Sequence, residues 1–140
     1  MITKDQLRGY QKIRRELNQI RERIEELETA ITAPKSQVLS GMPGGSAPDG
    51  NPVDKMIDRK NELLATYYAK MAALAEEQLK IEKAIEALPR AERLLIRYHY
   101  IDGLRWEAVG VKICYSLRQV HNLHSSALRR LREQEQEQEG

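Results

Sequence analysis

The side chains best suited to do chemistry lie between Arg105 and Leu131. Arg118, Gln119, Asn122 and Ser125 recur at a spacing that puts them on one side of a helix, with Val120, Leu123, Ala127 and Leu131 on the other. Arginine can fork onto the O6 and N7 of guanine, and glutamine or asparagine onto the N6 and N7 of adenine. Such a face suits reading the major groove of a duplex rather than turning over a substrate. Ser116 is followed three residues on by Gln119, the spacing of a capping box, so a helix should start there. Helix N-termini approach phosphates, and His121 falls close to the same surface. Arg129 and Arg130 come a turn or more later, where phosphate contact is expected rather than base reading. The candidate DNA-binding set is therefore Ser116, Arg118, Gln119, His121, Asn122, Ser125, Arg129 and Arg130. For Arg90, Arg93 and Arg97 two readings stay open, phosphate contact and ordinary surface charge.

Other chemistries fit less well. His121 and His124 stand at i, i+3 with Cys114 nearby, but structural zinc takes four ligands and the chain has no CxxC and no second His pair. No metal is expected. Cys114 has no His/Asp arrangement to make it a nucleophile and reads as a small packing residue. The stretch Gly41–Gly50 lacks the Gly-Lys-Ser/Thr ending of a phosphate loop and follows no strand. No catalytic residue and no cofactor are expected, and the chain does not read as an enzyme. Trp106 and Tyr98 read as core, and His124 as bordering it.

These side chains need a frame. Pro89 opens a region of three short helices: about 90–101, closed by Asp102-Gly103; about 105–113; and 116 to at least 131. Gly110 supplies the small residue where the last two helices cross, with Val109 and Ile113 facing Val120 and Leu123. That is a helix-turn-helix. Ahead of it, residues 1–33 form an amphipathic helix, with a Thr3/Gln6 capping box and a seam at Tyr10, Ile13, Leu17, Ile20, Ile24, Leu27 and Ile31. Residues 34–52 are a Gly/Pro loop. A second long helix covers 53–88, with Asn51 as N-cap, Pro52 at the first position, and a seam from Val53 to Leu88 weakened at Lys60 and Gln78. A narrow apolar stripe cannot bury itself. The two seams must therefore pair as an antiparallel hairpin or with another copy, and a dimer is expected. The expected fold is all-α: a long helical hairpin or coiled coil followed by a three-helix unit.

Charge distribution agrees with this division. The chain carries a net +2, but residues 89–132 carry +6, the tail 133–140 carries −4, and the first 88 residues sum to zero. Only the basic segment suits a polyanion. One cysteine excludes an internal disulfide and fits a reducing compartment. No stretch approaches the roughly 20 apolar residues of a membrane span, so no membrane partner and a cytoplasmic location are expected.

The region from Leu88 to Leu131 resembles region 4 of the sigma-70 family. The resemblance rests on Leu-Pro-Arg-Ala-Glu-Arg-Leu-Leu-Ile-Arg-Tyr from Leu88, Asp-Gly-Leu-Arg-Trp-Glu-Ala-Val from Asp102, Tyr-Ser-Leu-Arg-Gln-Val from Tyr115 and Ala-Leu-Arg-Arg-Leu-Arg from Ala127. The whole chain is similar to small phage late-gene regulators of the ArpU and RinA type from Gram-positive bacteria. The resemblance implies double-stranded DNA binding for transcription regulation, with RNA polymerase as a further partner. Two departures stand out: Cys114 where such turns carry Gly, and no counterpart of sigma region 2. A small terminase subunit for DNA packaging, and a protein-binding module acting on RNA polymerase or a host defence protein without DNA, are the alternatives.

Overall fold

The computed structural model describes residues 2–33 and 51–139, and the fold is all-α. Among the described residues five α-helices follow one another: α1 (Lys4–Thr32), α2 (Pro52–Ile85), α3 (Arg90–Ile96), α4 (Trp106–Ile113) and α5 (Leu117–Glu139). A π-helical turn, Arg97–Ile101, continues α3. The loop expected at 34–52 lies outside the described residues except for its last two. None of the described helices is long and apolar enough to cross a membrane.

The helix starts are set locally. Thr3 N–H donates to Gln6 Oε1 at 2.8 Å while Gln6 N–H donates to Thr3 Oγ1 at 3.2 Å, which satisfies two donors that α1 leaves open. At α2 the Asn51 side chain accepts from Val53 N–H at 3.0 Å, and Pro52 occupies the first helical position, where its missing N–H costs nothing. Pro89, extended at φ −54° and ψ 152°, precedes α3.

Two compact units divide the chain: residues 1–14 with 73–140, and residues 15–72. The sequence suggests a boundary near Pro89, but the division falls inside both long helices. The reason is that the ends of those helices carry core residues of the first unit. Ile2, Leu7 and Tyr10 cluster with Ile81, Ile85 and Leu88, and these with Leu95, Ile96, Tyr100, Val109, Val120, Ala127 and Leu131. Gln78, which interrupts the α2 seam, instead faces the Tyr10 hydroxyl at 3.4 Å.

In the second unit α1 and α2 run antiparallel within one chain. Glu16 pairs with Lys70 at 2.9 Å and Glu28 with Lys60 at 3.2 Å. Lys60, a polar break in the apolar seam, thus fastens the two helices together. Leu17 and Ile24 are buried, while Ile57, Tyr68 and Met71 stay exposed.

Candidate nucleic-acid interface

α4, the turn Cys114–Ser116 and α5 form a helix-turn-helix. The chain reverses in a C-terminal cap: Tyr115 N–H donates to the Gly110 carbonyl at 2.9 Å, and Cys114 takes the left-handed conformation at φ 63°, ψ 42°. Cys114 is exposed rather than packed. Its position is dictated by the backbone cap, which leaves the side chain outside the core. At the crossing, a Cβ on Gly110 would sit 2.8 Å from the Tyr115 carbonyl oxygen and 3.3 Å from Val120 Cγ2. Only glycine fits there without displacement.

α5 starts as its sequence requires. Ser116 N–H donates to Gln119 Oε1 at 2.8 Å, and Gln119 N–H to Ser116 Oγ at 3.2 Å. Val120, Ala127 and Leu131 are buried on its inner side. At about 100° per residue, Arg118, Asn122, Ser125 and Arg129 then fall within a narrow outer stripe, and all four are exposed. Arg118 and Arg129 pair with no acid among the described residues.

The other candidates sit differently. Ser116 and Gln119 are exposed, but each closes the other's cap, so the Gln119 carboxamide oxygen is already committed. Arg130 lies on the flank facing α3, and its Nε is 3.3 Å from Oε1 and 3.2 Å from Oε2 of Glu92. Glu92 is only 3% exposed and also accepts from Ser126 Oγ at 2.6 Å. Arg130 therefore neutralises a buried carboxylate, a task its spacing alone does not disclose. Arg97 likewise forks onto Glu82, with Nη2–Oε2 at 2.7 Å and Nε–Oε1 at 3.3 Å. Arg90 is exposed and Arg93 half-buried.

His121 is exposed on the opposite flank. There the rings of His99 and Trp106 stack at 3.6 Å with 14° between planes, and His124 tilts against Trp106 at 4.5 Å. His99 Nδ1 lies 2.7 Å from the Leu104 carbonyl, so that nitrogen carries the hydrogen. Tyr100 Oη lies 2.7 Å from His124 Nε2. Burial, reinforced by His99, Lys4, His121 and Arg8, pushes the His124 pKa down to about 4. His124 is thus neutral near pH 7, and its Nε2 shares one hydrogen bond with the Tyr100 hydroxyl. This aromatic group joins the π-helical turn to α4 and α5, and no residue spacing announced it. Among the described residues no His/Cys/Asp/Glu group of three or more could hold a metal ion. No protein-family model, curated protein or solved structure matches the chain.

Proposed function

We propose that the protein is a sequence-specific binder of double-stranded DNA that acts in transcription regulation. The observation that carries this reading is the outer stripe of α5. Arg118, Asn122, Ser125 and Arg129 stand exposed at successive turns of a helix whose inner side is anchored by buried Val120, Ala127 and Leu131. From Arg118 to Arg129 the stripe spans about 16 Å, or roughly five base pairs. Arg118 and Asn122 have the groups that read guanine and adenine edges, while Arg129 suits a phosphate. Ser116 and Gln119 build the helix start, and their backbone end faces the same partner.

The helical hairpin of residues 15–72 supports pairing of two copies, since it leaves Ile57, Tyr68 and Met71 exposed. Two copies would engage two spaced half-sites. Selection of duplexes from a random pool by the full chain tests the reading: it predicts an enriched motif of about five base pairs per half-site, and no enrichment over input would refute it.

One observation favours a protein partner as a second reading. Val111 is 80% exposed, and Tyr115 and Leu117 are exposed beside it in sequence around the turn. In this reading those side chains engage RNA polymerase. Val111→Lys would then abolish polymerase capture while leaving duplex affinity intact, and equal capture by both forms would exclude it.

A further inference from the structure

The flank of α5 that carries His121 borders a recess of about 230 Å³ within the first unit. Its aromatic part comprises His99, Tyr100, Trp106 and His124, and the first turns of α1 add Lys4, Arg8 and Gln11. Lys4 and Arg8 lie one helical turn apart on the same side of α1, and both are exposed. No carboxylate lines the recess, so its charge has one sign. Buried Tyr100 and the half-buried rings of His99, Trp106 and His124 lower the local dielectric beside these cations and strengthen their pull on an anion.

Size and position narrow the ligand. Pockets that enclose drug-sized molecules run from about 300 to 1,000 Å³, so this one suits a small group, whether free or projecting from something larger. An α-helix with its side chains is about 10–12 Å across and the major groove about 12 Å wide. A helix lying in the groove therefore has a sugar-phosphate backbone along each flank. His121 is adjacent to Asn122 and three residues beyond Arg118, which brings one backbone past the recess.

We infer that the recess seats a phosphoryl group, that of one backbone phosphate of the bound duplex, held by Lys4, Arg8 and His121. This rests on the duplex-binding reading of α5. It makes the N-terminal helix part of the interface, which a helix-turn-helix alone would not require. Recognition there is of the phosphate and not of the base, so it adds affinity without sequence preference.

The test uses the full chain, a duplex selected by it, and the double variant Lys4→Gln/Arg8→Gln. Both side chains are exposed, and an unchanged melting temperature verifies the fold. In the variant, affinity should fall by the same factor for selected and scrambled duplexes. The slope of log K against log[salt] should shrink by about 1 for each phosphate no longer neutralised. Trp106 is the only tryptophan, so its fluorescence reports on the recess, and it should change on duplex addition in the wild type. If the variant keeps the wild-type affinity and salt slope, the inference fails while the duplex-binding reading stands. If the wild type binds no duplex, the reading itself fails and the inference with it. If inorganic phosphate alters Trp106 emission in the wild type but not in the variant, and the salt slopes match, the group seated is free phosphate, which overturns assignment to the backbone.

Discussion

At Gly110 the approach of α4 to the turn leaves no room for a methyl group. Gly110→Ala would drive a Cβ to 2.8 Å from the Tyr115 carbonyl oxygen, a backbone atom that cannot swing aside. The expected loss is about 1–3 kcal/mol of stability, measured as a fall in the urea midpoint. Cys114 is the opposite case. Its left-handed backbone strains an L-residue by roughly 1–2 kcal/mol, part of which glycine returns through the greater freedom of its unfolded chain. Cys114→Gly should therefore raise stability modestly, and a lower melting temperature would contradict the assigned turn. Arg118 is exposed, so Arg118→Ala should leave the melting temperature alone while weakening binding to the selected duplex by about 1–3 kcal/mol. Both Gly110 and the Ser116/Gln119 cap were legible in the sequence because each depends on neighbours a few residues away. The commitment of Arg130 to Glu92 was not, since the partner lies 38 residues back and nothing in a helix pattern distinguishes an arginine facing a carboxylate from one facing solvent.

The orientation of α5 depends on both its flanks. On one, Ser126 and Arg130 meet Glu92 of α3; on the other, His124 meets Tyr100 and Trp106. The second contact makes stability depend on pH. The native pKa of His124 is lowered to about 4 from the 6.5 of an unperturbed ring, by burial first and then by His99, Lys4, His121 and Arg8. His99 shifts the same way, through burial opposed by its bond to Leu104. Between those pH values the unfolded chain binds a proton that native His124 refuses. Stability from this ring is fully present above about pH 6.5 and declines as pH falls toward 4. Melting curves across that range should show the decline, and His124→Gln should flatten it; an equal slope in both would mean that the ring titrates normally. The existence of the helices was evident from periodicity. The π-helical turn was not, because it replaces α-type bonds by a longer one, Asp102 N–H to the Arg97 carbonyl at 2.9 Å, without any change in the pattern of apolar residues.

At the scale of the whole molecule, each long helix serves two units. The seams required a partner, either each other or another copy, and the Glu16–Lys70 and Glu28–Lys60 pairs join α1 and α2 as a hairpin within one chain. Packing of Ile2, Leu7 and Tyr10 with residues beyond 80 is a long-range event that periodicity cannot express. The exposed Ile57 and Met71 of the hairpin lead to the expectation of a dimer by light scattering, reduced to a monomer by Met71→Glu. Eight or more copies would favour the ring of a packaging protein. The central claim, that the outer stripe of α5 lies in the major groove, is tested most directly by methylation interference on the selected duplex. Methylation of guanine N7, in the major groove, should block binding within each half-site, and Arg118→Ala should relieve the block at one guanine. Binding indifferent to N7 methylation throughout the site would contradict the account.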